Sequence, residues 1–302
     1  MNFNMNDTLI LSIALVTYNC QKFVSQAMDS ILMQKINCDY EIIVADDHST
    51  DNTLQILLEY QKLYPKLIKI LNSTHNLGIT KNYQRAFKEC KGKYIAILEG
   101  DDYWISPNKI SKQIEFLEQN KDCSFCSHKI FIHNEINNNA TLFAPLKKQK
   151  FTTKDLIIDN FIGNFSTCMY RQEVIKKIPL KLYDLQVYDW MFNIINSTHG
   201  TIGYLLEPLS IYRQHEGGVW SSGNKLKQRV DIAIAIDKYN LFLDKKYDKE
   251  FHLAKFKYTK SPTLKTIQNL FSVAGINYIL HYILPPICII LINKFRHYKN
   301  HK

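Results

Sequence analysis

Within the first 120 residues, short apolar segments alternate with stretches of helical periodicity. The apolar segments are 9–16, 40–45, 67–71 and 93–98. Each has the length and continuous hydrophobicity of a strand that is buried on both faces, as in a parallel sheet. Because the connections are short, the pattern predicts an α/β fold with an open, doubly wound, mostly parallel sheet flanked by helices.

The remaining elements follow from the same periodicities. Helices are expected at 23–33, 50–64, 79–90, 107–119, 152–160, 187–197 and 225–243. Strands are expected at 124–133 and 166–171, paired short strands at 201–212, and loops at 136–150 and 217–223. We therefore divide the chain into a domain at 1–223 and a helical region at 224–302, the domain having a nucleotide-binding part at 1–134 and an acceptor part at 135–223.

Charge and cysteine content limit the classes of partner. The net charge is +10 and the pI about 9.1, which suits anionic partners such as nucleotide diphosphates or acidic lipids. We expect no nucleic-acid partner, because no compact set of aromatic residues is interleaved with basic ones. The seven cysteines include one C-x-x-C pair, Cys123 and Cys126, which we interpret as reduced thiols in a strand rather than a zinc site. Residues 1–8 are polar, so we expect a cytoplasmic protein without a signal peptide.

An acidic segment, Glu99-Gly100-Asp101-Asp102, directly follows the fourth predicted strand. Ligands of open α/β sheets bind at the carboxyl ends of the strands. Hard divalent cations prefer carboxylate oxygens, so the adjacent aspartates are candidates for holding Mg²⁺ or Mn²⁺. The alternative is that Asp102 or Ser106 caps the helix that begins near Pro107.

Polar residues also follow the first two predicted strands. Thr17-Tyr18-Asn19 ends the first strand, and Asp46-Asp47 ends the second, ahead of the helix start signal at 51–53. Helix capping is the alternative role for this second cluster. The chain has neither a Walker loop nor a G-x-G-x-x-G motif, which argues against a P-loop mechanism and dinucleotide cofactors.

These three polar segments, in this order, resemble the family 2 glycosyltransferases of bacterial cell-surface polysaccharide synthesis, which have the GT-A fold. The resemblance covers roughly residues 9–223. It implies that Thr17, Tyr18, Asn19, Asp47 and Asp101 contact the nucleotide, and that Asp102 holds a divalent metal, Mn²⁺ or Mg²⁺. The family spelling is D-x-D, so Glu99 is a further candidate acid, although we favour the adjacent aspartates.

The resemblance also assigns residues in the second half of the chain. It places a general base at the start of a helix, which in this sequence is Asp189, with Asp184 as a competitor; the alternative is that Asp189 only caps the helix. It places a closing loop after the strand that ends near Tyr212, where Arg213 or His215 would neutralise the departing diphosphate. The implied reaction is a single displacement with inversion.

The expected function is therefore transfer of a sugar from a nucleotide-sugar donor, with UDP favoured, to a hydroxyl of a saccharide or lipid-linked saccharide. One alternative is a sugar nucleotidyltransferase, which would carry a Gly- and Arg-rich loop after the first strand. In this chain that loop reads Tyr18-Asn19-Cys20-Gln21. The other alternative is a nucleotide-sugar-binding protein without transferase activity.

The C-terminal region carries an apolar segment at 276–292, followed by a basic tail. Its 17 residues barely reach the length of a membrane span, and Pro285-Pro286 would break a helix in its middle. We favour an interfacial anchor that holds the protein peripherally on the inner face of the cytoplasmic membrane, in contact with anionic lipid. The alternative is a helical hairpin that packs on the protein itself or on a dimer partner.

Overall fold

The structure is a computed structural model that describes residues 9–143, 146–185, 189–218 and 225–259. Its strands are β1 (Leu11–Thr17), β2 (Tyr40–Asp46), β3 (Ile68–Leu71), β4 (Tyr94–Glu99), β5 (Tyr103–Trp104), β6 (Cys123–Asn134), β7 (Asn139–Phe143), β8 (Lys150–Phe151), β9 (Met169–Arg171) and β10 (Thr201–Gln214). Its α-helices are α1 (Val24–Leu32), α2 (Thr53–Leu63), α3 (Ile79–Glu89), α4 (Lys109–Gln119), α5 (Thr153–Ile158), α6 (Gln172–Ile175), α7 (Asp189–Ser197), α8 (Lys225–Phe242) and α9 (Asp248–Thr259).

The ten described strands form one mixed sheet, eight of them in the order β3-β2-β1-β4-β9-β6-β10-β5, while β7 pairs with β6 and β8 pairs with β10. The first four strands in this order are mutually parallel, as their apolar sequences predicted. The next strand, β9, runs antiparallel to both of its neighbours, β4 and β6. The predicted α/β fold, with a mostly parallel sheet flanked by helices, is confirmed.

Helix periodicity fixes how the first helix packs. The apolar residues Val24, Ala27, Met28 and Ile31 of α1 recur at helical spacing and are all fully buried. They belong to the same core cluster as inward-facing residues of β1, β2 and β4. Burial of each large aliphatic side chain stabilises the fold by about 1.5–3 kcal/mol, which anchors the loop that precedes α1.

Two loop and strand predictions were wrong. Residues 136–150 are not one loop, because they contain β7 and the start of β8. Residues 201–214 form one long strand rather than paired short strands, with register shifts on either side of Pro208. Proline lacks the N–H that a regular ladder requires, and the irregular register accommodates it without ending the strand.

The strand predicted at 166–171 is shorter than expected. Only Met169–Arg171 are extended, and Phe165–Thr167 form a turn of 3-10 helix. This turn, called the 165–167 turn below, contacts β4, and its Ser166 hydroxyl accepts a hydrogen bond from the backbone N–H of Glu99.

The described residues divide into two compact units. One contains the whole sheet, and the other contains residues 157–159 with α8 and α9. Within the second unit, Asn240 donates to Asp248 at 2.8 Å and Lys255 pairs with Asp237 at 2.5 Å. None of the described helices has the length and hydrophobicity that a membrane crossing requires. The apolar segment 276–292 and its basic tail lie outside the described residues.

Candidate active site

The three polar segments meet at one edge of the sheet, at the carboxyl ends of β1, β2 and β4. In the strand register, Thr17 lies beside Asp46, and Val16 lies beside Glu99. This convergence follows from parallel pairing, because neighbouring parallel strands have their carboxyl ends at the same edge of the sheet. It is the position at which open α/β sheets bind ligands.

Hydrogen bonds fasten the loop after β1 to the loop after β2. The Thr17 hydroxyl donates to Asp46 Oδ1 at 3.0 Å. Asn19 adopts a left-handed backbone with φ of 51°, donates its N–H to Ser49 Oγ at 2.9 Å, and accepts from Thr50 N at 2.8 Å. Asparagine tolerates this backbone better than most residues. Thr17 and Asn19 therefore join the two loops at this edge of the sheet, and their contact with a nucleotide stays a prediction.

Two further predicted nucleotide contacts, Tyr18 and Asp47, differ in exposure. Tyr18 is 48% exposed at the end of β1, so its ring is open to a ligand. Asp47 is only 2% exposed, and its carboxylate accepts from Leu77 N at 2.8 Å and from Gly78 N at 2.9 Å. Asp47 thus holds the loop that begins α3, and its contact with a nucleotide stays a prediction.

Gly100 allows the end of β4 to approach the end of β1. A Cβ at this position would lie 2.6 Å from Cγ2 of Thr17 and 3.3 Å from Sγ of Cys20. Only glycine fits this approach without displacing the first loop. Glu99 and Asp101 therefore flank the residue at which β4 approaches Thr17 most closely.

The Asp102 carboxylate points into the protein. Asp102 is 0% exposed; its Oδ2 accepts from Asn164 Nδ2 at 2.5 Å and Ser166 Oγ at 2.6 Å, and its Oδ1 accepts from Arg213 N at 2.9 Å. Burial, reinforced by the charge of Asp101, raises its pKa. Both oxygens are occupied by protein donors, so these contacts disfavour the sequence prediction of Asp102 as the metal ligand.

Asp101, in contrast, lies at the open side of the site. Its side chain is 30% exposed, and its Oδ2 lies 3.2 Å from Nε2 of His215. The His215 ring packs against Phe23, with 4.6 Å between the ring centroids. The structure therefore brings together an aspartate and a histidine that are 114 residues apart in the sequence.

Arg213 is enclosed rather than turned towards a ligand. Its side chain is 4% exposed, and its Nε lies 2.8 Å from Glu135 Oε1. Nη1 donates to the carbonyl oxygen of Asp101 at 2.9 Å, and the guanidinium lies 4.7 Å from the ring centroids of Phe23 and Tyr103. These contacts fasten β10 to the acidic loop. The prediction that Arg213 neutralises a departing diphosphate would require it to leave them, so His215 is the better placed of the two.

Asp189 is the first residue of α7 and a partly buried acid. Its Oδ1 accepts from Trp190 N at 2.7 Å, which is a contact at the helix N-terminus. Burial raises the pKa of Asp189 to about 6. The capping alternative is thus not exclusive, because the same carboxylate has the proton affinity that a base needs near neutral pH.

The competing acid, Asp184, lies at the surface. Its side chain is 71% exposed and pairs with Lys81 at 2.9 Å. Such exposed pairs contribute little to the free energy of folding, and the carboxylate stays in contact with water. Its position favours Asp189 as the base.

Glu99, the further candidate acid, ends β4 and accepts from the Tyr83 hydroxyl at 2.7 Å. Burial, together with the charges of Asp102, Asp101 and Asp189, raises the pKa of Glu99 well above its usual range. Three acids from one loop and a fourth from α7 therefore interact electrostatically. The spacing is visible in the sequence, because one residue separates Glu99 from Asp101, as in D-x-D, with Glu in place of the first Asp.

The described residues offer only part of a metal site. Within the described part of the chain, no group of three or more His, Cys, Asp or Glu side chains could hold an ion. Asp101 and His215 supply a carboxylate oxygen and an imidazole nitrogen. Catalytic Mg²⁺ sites commonly combine one or two carboxylates with substrate phosphates, so this pair fits a cation that binds together with a diphosphate.

The family model described as glycosyl transferase family 2 matches residues 12–179, which is more than half of the 302 residues. The chain belongs to glycosyl transferase family 2. The matched range contains the loops after β1, β2 and β4, but ends before Asp189 and His215. The family resemblance seen in the sequence is confirmed.

Similar proteins are found in several organisms. An uncharacterized protein of Mycobacterium tuberculosis is 32% identical over 213 residues, covering 70% of this chain and 61% of that protein. The dTDP-rhamnosyl transferase RfbG of Shigella flexneri is 28% identical and covers 78% of this chain and 81% of that protein. A UDP-Glc:alpha-D-GlcNAc-diphosphoundecaprenol beta-1,3-glucosyltransferase of Escherichia coli, WfgD, is 32% identical over 55% of this chain and 62% of that protein.

Solved structures confirm the GT-A fold. The crystal structure of S. aureus TarS in complex with UDP-GlcNAc has a TM-score of 0.61 at 19% identity, covering 91% of this chain and 76% of that chain. The mannosyltransferase PcManGT from Pyrobaculum calidifontis, in complex with GDP-Man and Mn²⁺, has a TM-score of 0.57 at 13% identity, covering 96% of this chain and 80% of that chain.

Proposed function

We propose that this protein transfers a sugar from a nucleotide-sugar donor to a hydroxyl of a saccharide or lipid-linked saccharide, in cell-surface polysaccharide synthesis. The observation that carries the proposal is the meeting of Asp101 and His215 at the carboxyl ends of the parallel strands, beside a glutamate whose pKa is raised in part by the charge of Asp189. The names of RfbG and WfgD, which specify dTDP-rhamnosyl and UDP-Glc transfer, support the same class of reaction.

The chemical step is a single displacement at the anomeric carbon. The acceptor oxygen forms a bond to that carbon while the bond to the donor's diphosphate oxygen breaks, which inverts the configuration. Asp189 accepts the acceptor's hydroxyl proton, and its raised pKa of about 6 leaves it ionised yet basic at neutral pH. Its partial burial limits access of water, which would otherwise hydrolyse the donor.

Asp101 and His215 would hold a divalent cation, Mn²⁺ or Mg²⁺, together with the donor's diphosphate. When bound, such a cation offsets the charge that develops on the departing diphosphate. Asp102 instead fixes the loop that presents Asp101, because its oxygens bind Asn164, Ser166 and the backbone of Arg213. The Mn²⁺ and GDP-Man in the PcManGT structure support a metal in this type of fold.

The nucleotide would lie along the loops after β1 and β2. Tyr18 offers an exposed ring for stacking, while Thr17 and Asn19 keep the two loops joined. Asp47 would contribute indirectly by holding the start of α3, or directly through its remaining lone pairs. UDP remains the favoured nucleotide, on family resemblance and on the UDP-GlcNAc bound to TarS.

Two alternatives are weaker. A sugar nucleotidyltransferase would carry a Gly- and Arg-rich loop after β1, whereas residues 18–21 are Tyr-Asn-Cys-Gln. Against a nucleotide-sugar-binding protein without activity stands the partly buried Asp189, because acids with a raised pKa cluster at catalytic sites. The perturbed Asp189 therefore favours a transferase.

The proposed location is the cytoplasm, with peripheral contact at the inner face of the membrane. A lipid-linked acceptor such as the one named for WfgD would be reached there. The segment proposed to make the contact, 276–292 with its basic tail, lies outside the described residues.

A donor screen tests the function. The full chain is incubated with UDP-, GDP- and dTDP-sugars and lipid-linked saccharide acceptors, with Mn²⁺ or with EDTA. We expect transfer from one class of donor, dependent on the cation. A parallel incubation supplies a nucleoside triphosphate and a sugar 1-phosphate, and release of pyrophosphate there, without transfer from any nucleotide sugar, would indicate the nucleotidyltransferase instead. Donor binding without transfer or hydrolysis, for every donor and acceptor, would indicate a binding protein.

The pH dependence of turnover follows from the raised pKa of Asp189. Because the protonated carboxyl cannot accept a proton, we expect kcat at saturating donor to fall as the pH is lowered through about 6. Below that value the loss should approach about tenfold per pH unit. The measurement is kcat between pH 4.5 and 8, with circular dichroism to verify folding. A rate that stays constant down to pH 4.5 would exclude Asp189 as the base.

A further inference from the structure

A buried lysine, Lys109, lies over the ring of Trp104, and none of the described acids pairs with it. Lys109 is the first residue of α4 and is 0% exposed. Among the described residues, its ammonium has no hydrogen-bond partner. Burial lowers its pKa from 10.5 to about 7, against the influence of Cys126 and Cys168. An unpaired buried ammonium destabilises a fold, and a cation at a helix N-terminus also opposes the helix dipole. The fold alone therefore does not explain a lysine at this position.

The contact that this ammonium makes is with an aromatic ring. Lys109 Nζ lies 3.8 Å from the ring centroid of Trp104, which is itself 1% exposed. A cation over an indole face is attracted by the ring's quadrupole, most strongly when water is excluded. The Trp104 indole N–H donates to the carbonyl oxygen of Ser166 at 3.0 Å. The lysine thus acts on the side chain that binds the 165–167 turn.

That turn carries a hydroxyl that organises the acids. Ser166 Oγ donates to Asp102 Oδ2 at 2.6 Å and accepts from Glu99 N at 3.1 Å. Gln113, one helical turn after Lys109, donates to the carbonyl of Thr167 at 2.9 Å. The first turns of α4 therefore hold the 165–167 turn at two points, one of them through Trp104.

We propose that Lys109 is a positioning residue for sugar transfer: its ammonium fixes the Trp104 indole, which through Ser166 sets the backbone of the acidic loop. This inference rests on the proposed function, because its main readout is the rate of transfer. It makes an uncommon prediction, namely that removing the charge raises stability and lowers activity. Functional sites often retain groups that cost stability in this way.

The first test is Lys109→Met, which keeps length and apolar stem but removes the charge. We expect a higher Tm than wild type, since the unpaired ammonium is gone, and a kcat lowered by roughly tenfold or more, since small misplacements of reacting groups slow catalysis strongly. Wild-type kcat in Lys109→Met would overturn the proposal. A lower Tm would also overturn it, because it would make the lysine a stabilising core residue.

The matched variant is Trp104→Phe, which keeps an aromatic face for the ammonium but lacks the N–H donor to Ser166. If both residues act through one chain of contacts, the double variant should lose no more than roughly the larger single loss. Losses that multiply would show that Lys109 and Trp104 act separately and would overturn the proposed route. The cycle is measured as kcat at saturating donor, with donor KM expected to change less.

A readout without substrate separates this proposal from the proposed function. The chain has three tryptophans, and the indole N–H resonance absent from Trp104→Phe identifies Trp104. In Lys109→Met we expect that N–H to exchange faster with solvent, reporting a loosened bond to Ser166. If wild type transfers no sugar from any donor, the proposed function fails, whatever the exchange shows. If wild type transfers sugar but exchange and kcat match in both proteins, only the inference about Lys109 fails.

The stability difference should also depend on pH in a defined direction. The titratable groups that face Lys109 are His128, whose pKa burial lowers to about 3, and the thiols of Cys126 and Cys168, whose pKa values burial raises. In the folded protein Lys109 loses its proton near pH 7, because its pKa is about 7. In the unfolded chain the same lysine keeps its proton up to about pH 10.5, so the two states differ in protonation between these pH values. The Tm gain of Lys109→Met should be largest at pH 7 or below and shrink towards pH 10.5. A gain independent of pH would mean that Lys109 binds its proton equally in the folded and unfolded chains, so that burial does not lower its pKa.

Discussion

Replacement of Asp189 by asparagine should lower kcat by at least roughly a hundredfold, because general-base catalysis contributes about 10²–10⁴-fold. Asparagine keeps the shape and can still accept from Trp190 N, so the helix cap survives. Donor KM and Tm should therefore change little. The measurement is steady-state transfer with a saturating acceptor, together with a thermal melt.

Asp184→Asn is the matched control for this variant. It removes an acid five positions away that is 71% exposed and paired with Lys81. We expect its kcat to stay within about twofold of wild type, since surface pairs contribute little. If instead Asp184→Asn were slow and Asp189→Asn turned over normally, the base would be Asp184.

The second large effect is expected at Asp101. Asp101→Asn removes the charge of the proposed metal ligand at the open side of the site, and we expect Mn²⁺-dependent kcat/KM to fall by roughly a hundredfold or more. The Mn²⁺ concentration for half-maximal activity should rise, and the Tm should stay near wild type because the side chain is 30% exposed. Rates at a series of Mn²⁺ concentrations measure both quantities.

Asp102→Ala separates the two aspartates. It leaves the donors of Asn164, Ser166 and Arg213 without their buried acceptor, so the free energy of unfolding should fall by about 2 kcal/mol or more. Its activity should fall too, but excess Mn²⁺ should not restore it. A well-folded Asp102→Ala whose activity returns at high Mn²⁺ would restore Asp102 as the metal ligand.

The sequence was sufficient to predict where the site residues lie in the fold, but not which way their side chains point. Continuous apolar segments indicate parallel strands, and parallel strands end at one edge, so the meeting of Thr17, Asp47 and the acidic loop follows from pattern alone. Which of two adjacent aspartates faces solvent does not follow. It depends on Asn164 and Ser166, which approach Asp102 from a turn more than 60 residues away.

Other features depended on contacts that local sequence does not encode. Arg213 sits beside glycines and a histidine, as a mobile phosphate-binding loop would, yet Glu135 and two aromatic rings enclose its guanidinium. The strand β10 continues through Pro208 because the ladder to β6 shifts its register on both sides of this residue. The inference about Lys109 depends on the contact of its ammonium with the ring of Trp104, which lies five residues earlier in the sequence.

The most direct test of the proposed single displacement at this site is the anomeric configuration of the first product. A donor whose sugar is α-linked to the diphosphate is incubated with acceptor and Mn²⁺, and the new linkage is assigned by NMR before side reactions accumulate. With Asp189 acting as a base rather than a nucleophile, we expect a β-linkage. An α-linked product would require a covalent intermediate or a front-side attack, and would contradict the role of Asp189 as a general base.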